Sequence, residues 1–213
     1  MGESSVTNTY ELSTPRKSSF AGDVLKLVSG TAFAQALAIV VAPVLTRLYG
    51  PEAFGTSALF ASLAGIIGAV ACLRYELAIV LPKTDEEAAN LLGVSLVSVV
   101  LISLLTVPLV CLGGEPLARW LNAPELGQYL WLVPLVVFLS GVFLALNYWN
   151  SRTRRFGRLS IALVSSSTVT ASAQLGAGVA GCASGGTLVF ANIAGSFVST
   201  LVLAGQVWRD DGR

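Results

Sequence analysis

Residues 97–110 read Val97-Ser-Val-Val-Leu-Ile-Ser-Leu-Leu-Thr-Val-Pro-Leu-Val110, an apolar run broken only by Ser, Thr and one Pro. A strand of a membrane barrel alternates polar and apolar residues over short segments, and this run does not alternate. A continuous run calls for a helix, which satisfies every backbone N–H and C=O within its own segment where no water is present. Extended over 90–112, the run reaches the roughly 20 residues that span about 30 Å of hydrocarbon.

The rest of the chain repeats the pattern. Its 213 residues are 54% hydrophobic and 12% charged, with a mean hydropathy of +0.74. An average soluble domain is about 25% charged, so half of the usual solubilising charge is missing. The composition therefore implies an all-α integral membrane protein. Six spans are expected, near 25–46, 54–73, 90–112, 129–149, 160–182 and 186–208, forming one transmembrane unit over 23–209. Residues 1–22 are polar and rich in Ser and Thr, as expected of a disordered tail, and 210–213 form the other end.

Lys and Arg set the orientation. With six crossings, both termini share a side with the loops near 74–89 and 150–159. That side collects Arg16, Lys17, Lys26, Arg74, Lys83, Arg152, Arg154, Arg155, Arg158, Arg209 and Arg213, leaving only Arg47 and Arg119 opposite. Positive charge concentrates on the cytoplasmic side, so both termini of a multi-pass protein are expected there.

Several chemistries have no foothold. There is no His, the commonest general base and transition-metal ligand. Cys72, Cys111 and Cys182 lie far apart in apolar surroundings, with no metal-binding spacing. No cofactor, metal or nucleic-acid partner is expected, and no enzymatic activity. The Asp85-Glu86-Glu87 group is better read as a helix start capped by Thr84, with acids at the positive end of the dipole.

Polar groups inside apolar spans should face protein or water. Gln35, Asn147, Gln174 and Asn192 are such groups, each an interhelical hydrogen bond or part of the wall of a hydrated cavity. The fifth span carries Ser165, Ser166, Ser167 and Thr168, and Ala177, Gly181 and Gly185 follow at small-residue spacing. Such spacing suits close helix packing. Pro43, Pro108 and Pro134 are expected inside spans, where a missing N–H favours a kink. The 113–128 loop reads either as a surface helix bearing Leu117, Trp120 and Leu121 or as a connection capped by Asn122 and Pro124.

Acids avoid the span centres, with Asp23 and Glu76 at their ends, whereas Arg47 and Arg74 flank the second span. Arg grips phosphate bidentately, so the two mark an anionic ligand, an interfacial arginine that merely snorkels being the simpler alternative. The cluster Arg152, Arg154, Arg155 and Arg158 reads as a topology anchor that also attracts anionic headgroups.

Two linked motifs carry a resemblance. Residues 44–92 contain Leu-Thr-Arg-x-Tyr-x-Pro-Glu-x-Phe-Gly, then Leu-Arg-Tyr-Glu-x-Ala-Ile-Val-Leu-Pro, then Asp-Glu-Glu-Ala. This stretch resembles the start of bacterial polysaccharide biosynthesis proteins, the O-antigen and exopolysaccharide (lipopolysaccharide) flippases of the multidrug/oligosaccharidyl-lipid/polysaccharide superfamily. The resemblance implies a transporter that moves an undecaprenyl-diphosphate-linked oligosaccharide between leaflets by alternating access. It further implies a cationic cavity between two helical lobes, of which this chain matches one. The partner would be a second six-helix lobe or other polysaccharide-assembly proteins. Arg47 and Arg74 match the motif arginines and are assigned to the diphosphate; Glu76 matches the acid beside the second. With Gln35, Asn147, Gln174 and Asn192, Glu76 is expected to line the cavity. A non-transporting assembly or scaffold subunit is the main alternative. A drug/cation antiporter fits less well without midplane carboxylates, and a membrane transferase lacks a base.

Overall fold

The computed structural model describes residues 20–82 and 84–211. Most of the tail expected to be disordered lies outside them, as do Lys83 and the last two residues. The described chain is helical throughout: α1 (Phe20–Leu48), α2 (Pro51–Gly68), α3 (Tyr75–Ala78), α4 (Asp85–Trp120), α5 (Pro124–Gly127), α6 (Val133–Arg152), α7 (Phe156–Val179) and α8 (Gly185–Asp211). A short 3-10 turn, Leu130–Leu132, leads into α6. No strand occurs among the described residues.

Local chemistry explains the boundaries. Pro51 opens α2, where its missing N–H costs nothing, and Glu52 sits in the first turn against the positive dipole end. Thr84 caps α4 by accepting the Glu87 N–H at 3.4 Å, with Asp85, Glu86 and Glu87 filling the first turn. Gly181, at φ 79°, closes α7. Cys182 and Gly181 donate their N–H groups to Ala177 and Gly178 at 3.0 and 3.2 Å, the pattern that satisfies the last carbonyls of a helix.

Three expectations change. The helix expected over 90–112 is the 36-residue α4, which runs through Pro108 and Pro116 to Trp120. The segment with Leu117 and Trp120 is therefore the end of a long helix, because one missing N–H interrupts only one rung of its ladder. Pro134 lies in the first turn of α6 and so kinks nothing. Gly181 is a helix terminator with open space around it, so the spacing Ala177–Gly181–Gly185 does not form one face of one helix, although Gly185, at the start of α8, does approach Thr56 of α2 closely.

Four helical stretches are long and apolar enough to cross a membrane: Val24–Leu48, Asp85–Trp120, Leu130–Arg152 and Gly185–Arg209. The protein is an all-α, multi-pass membrane protein. The remaining long helices, α2 with 18 residues and α7 with 24, measure about 27 and 36 Å at 1.5 Å per residue. Gly, Ser and Thr recur along both.

Those small residues organise the packing. α7 lies between α1 and α8; α8 also meets α2 and α6, and α6 packs on α4. Helices in lipid gain little from hydrophobicity and associate through close contact. At Gly30 a Cβ would overlap the Ser160 hydroxyl, fixing α1 on α7. At Gly195 it would overlap Thr170 Oγ1 and lie 3.0 Å from the Ser166 carbonyl oxygen, fixing α8 on α7. A core of Phe60, Val99, Val137 and Ala145 joins α2, α4 and α6. Leu146, Leu159, Ala162 and Leu203 close one end of the bundle, and Val41, Leu45, Tyr49 and Leu188 the other.

At the first of these ends, Arg152 is held by partners within the chain. Its side chain is only 12% exposed and bonds Asp85 Oδ1 at 2.9 Å. It also donates to the carbonyls of Pro82 (2.6 Å), Thr84 (3.0 Å) and Ile79 (3.5 Å). Arg158 is also buried, reaching Asn150 Oδ1 at 3.3 Å, while Asn150 Nδ2 donates to Leu146 at 2.8 Å. Of the four arginines only Arg154 and Arg155 are exposed, because the other two saturate buried acceptors.

Two measurements check this packing. Gly195→Ala should lower stability by about 1–3 kcal/mol, the usual cost of overpacking. Gly176→Ala, with open space around it, should be neutral or gain up to about 1 kcal/mol in helix propensity; denaturant titration in mixed micelles reads both. Arg152→Lys removes the planar fork and should speed amide exchange over 79–85 about tenfold, since charge-assisted hydrogen bonds contribute about 1.5–3 kcal/mol.

Candidate functional site

The stretch Leu45–Gly55 forms the tight connection between α1 and α2. Tyr49 is 2% exposed. Its N–H donates to Leu45 at 2.8 Å, and its hydroxyl donates to the Gln174 carbonyl of α7 at 2.7 Å. Its ring meets Phe54 edge-on, centroids 6.3 Å apart. A Cβ at Gly178 would lie 2.9 Å from Leu48 Cδ1 and 3.0 Å from Tyr49 Cε2, so only Gly lets α7 seat this turn. Burial raises the Tyr49 phenol above its ordinary value, with the Cys182 thiol adding to the effect; it therefore stays a donor.

Arg47, in the last turn of α1, is treated oppositely. It is exposed and has no ion-pair or hydrogen-bond partner among the described residues. Tyr49, Phe54 and Gly178 fix the backbone, and Arg47 projects from it.

The second motif surrounds a strained turn. Leu73 and Arg74 have φ of 49° and 64°, a left-handed pair that non-glycine residues adopt at a cost of order 1–3 kcal/mol each. This geometry turns Leu73, Arg74 and Tyr75 outward, while Ala71, Cys72, Glu76 and Ile79 are buried. Arg74 too lacks a partner among the described residues. Glu76, expected on a cavity wall, is 2% exposed, and its buried Oε2 accepts no hydrogen bond.

The two arginines are not brought together. The 18 residues of α2 lie between them, about 27 Å of helix, so a single diphosphate cannot bridge both at once. Between them α2 exposes Gly55, Ala58, Ser62 and Gly65, which recur at alternating steps of three and four and so share one face.

The expected polar residues divide between two grooves beside α2. One, of about 270 Å³, is lined by α1 from Ala34 to Thr46, by Phe54, and by Ser167, Thr170 and Gln174 of α7. The other, of about 300 Å³, lies among α2, α6 and α8, with Asn192, Ser57, Ser140 and Ser196 as its polar groups. Gln35 is exposed on α1 and Asn147 half-buried on α6, and neither lines these grooves. Sequence reasoning overlooks Ser57, Ser140 and Ser196. Only the Asn192–Ser196 pair, four apart on one helix face, carried a signal for them.

No curated protein and no solved structure matches the chain significantly. The profile of the family described as polysaccharide biosynthesis protein matches residues 44–209. That span includes both motifs, the groove among α2, α6 and α8, and the bundle from the end of α1 to the last turns of α8. The chain belongs to the polysaccharide biosynthesis protein family.

Proposed function

We propose that this protein, which belongs to polysaccharide biosynthesis by its family, moves an undecaprenyl-diphosphate-linked oligosaccharide across the bacterial cytoplasmic membrane by alternating access. Both termini and the arginine-rich end face the cytoplasm, α2 and α7 cross with the four other long helices, and a second lobe faces α1 and α2.

The observation that carries the reading is the placement of Arg47 and Arg74. Both are exposed and without partners among the described residues, Arg47 at the end of α1 just before α2 and Arg74 in the turn that follows α2, and α2 exposes Gly55, Ala58, Ser62 and Gly65 between them. A diphosphate and its sugars cannot cross hydrocarbon unaided, since burying an unpaired charge is prohibitive. Arg74 receives the diphosphate at the cytoplasmic leaflet and Arg47 at the opposite one, each with a bidentate guanidinium. Small side chains along α2 leave room for the head group, and the hydroxyls and amides of the flanking grooves replace water around the sugars. The prenyl tail remains in lipid. This division between ends accounts for two arginines that never share one ligand.

Complementation of a flippase-deficient strain tests the reading. Arg47→Ala and Arg74→Ala should each reduce surface glycan at least tenfold at unchanged protein level, and Arg→Lys should restore only part of it. Full glycan display by both alanine variants would refute the diphosphate assignment.

A further inference from the structure

The groove among α2, α6 and α8 gathers polar groups that the fold leaves unsatisfied. Several hydroxyls close to it are spent on their own helices. Ser62 donates to the Ala58 carbonyl at 2.8 Å, and Ser199 and Thr200 donate to the Ser196 carbonyl at 2.9 and 2.8 Å. The Ser57 and Ser196 hydroxyls and the Asn192 carboxamide, by contrast, have no hydrogen-bond partner among the described residues. All three line one cavity of about 300 Å³. Beside them Ser140 donates to the Val137 carbonyl at 3.1 Å and keeps its oxygen free to accept. Polar groups at membrane depth need protein, water or a ligand as partner, and here the protein provides none.

The lining selects the chemistry of that ligand. Among the described residues no charged side chain borders the groove, so it offers nothing to a phosphate or an ammonium group. Phe60, Val136, Val189 and Ile193 supply an apolar wall. Asn192 presents a donor and an acceptor in one plane, the complement of a secondary amide. A neutral substituent that joins an amide to a methyl group satisfies both surfaces, and on a sugar that substituent is an acetamido group. Gly65 belongs to this groove and to the exposed face of α2 alike, and a Cβ there would meet nothing within 4 Å. The groove thus opens on to the face assigned to the diphosphate.

We propose that this groove binds the acetamido group of the sugar attached directly to the diphosphate. Asn192 pairs with the amide, Ser57 and Ser196 with hydroxyls of the ring, and the methyl lies against Phe60 and Ile193. The assignment rests on the transport reading above and adds to it a rule for which glycans are accepted. A sugar with a plain hydroxyl in place of the acetamido group leaves Asn192 unpaired, and an unpaired polar group is how a site rejects an analogue.

Binding of defined lipids to the full chain in nanodiscs tests the proposal. The probes are undecaprenyl diphosphate, either bare or carrying N-acetylglucosamine, N-acetylgalactosamine, glucose or galactose. The better acetamido lipid should bind about tenfold more tightly than its hydroxyl counterpart, as two net hydrogen bonds imply. Asn192→Leu should erase that difference, while the bare lipid, which has no sugar to offer the groove, keeps its affinity. Should Asn192→Leu fail to fold, Asn192→Ser, too short to pair with both amide atoms, should erase it as well. Arg47→Ala and Arg74→Ala should instead weaken every lipid, the bare one included, which reads the diphosphate assignment separately. Equal affinity for acetamido and hydroxyl lipids, or a preference that survives Asn192→Leu, would overturn the groove assignment. If no diphosphate lipid binds, the transport reading fails, and free methyl glycosides read the groove instead. Those of the acetamido sugars should then protect Gly65→Cys, in a variant without the native cysteines, from maleimide, while those of glucose and galactose do not. Absence of that protection would overturn the groove assignment too.

Discussion

The seat of α7 between α1 and α8 constrains everything else in this bundle. The helix carries Ser165, Ser166, Ser167, Thr168 and Thr170 through its middle, and lipid would solvate such a surface poorly. Several hydroxyls fold back on their own helix, as Ser167 and Thr168 do by donating to the Val164 carbonyl at 3.0 and 2.8 Å. Close backbone approach covers the rest. Gly30, Gly178 and Gly195 mark where α1, the Tyr49 turn and α8 come too near for a side chain. Because α7 holds Tyr49 through the Gln174 carbonyl, it also fixes where α1 ends and α2 begins.

Arginine has two uses here, and the local backbone separates them. Arg152 and Arg158 stem from the junction of α6 and α7 and turn inward, where carbonyl and amide oxygens receive their donors. Their charge is spent on structure. Arg47 and Arg74 sit at a helix end and in a left-handed turn, exposed and without a partner among the described residues. A count of positive charge cannot make this distinction; the acceptors around each guanidinium can.

Much of the architecture was legible in the sequence because lipid imposes simple rules. Continuous apolar runs, Pro51 with Glu52 at a helix start, and Thr84 before three acids each had one natural reading, and each corresponds to an element in the structure. The 113–128 segment misled: read as a loop, its first part instead continues α4 as far as Trp120. The role of Gly181 was hidden because small-residue spacing does not reveal backbone φ. Among candidate site residues, the family motifs pointed to Arg47 and Arg74, whose exposure the fold supplies. The burial of Glu76 depends on the turn geometry at Leu73 and Arg74, which no periodicity encodes. Gln35 and Asn147 shared the polarity of Gln174 and Asn192, but helix rotation separated them from the grooves.

The central claim is a track of small residues along α2 between Arg47 and Arg74. Cysteine scanning tests it most directly, in a variant with Cys72, Cys111 and Cys182 replaced and with residues 55, 58, 62 and 65 converted one at a time. The account predicts that a membrane-impermeant maleimide labels these positions in cells, while Leu104 and Leu112 of α4, exposed to lipid, stay unlabelled when converted. Labelling confined to the ends of α2, with the middle as inert as Leu104, would contradict a hydrated path along this helix.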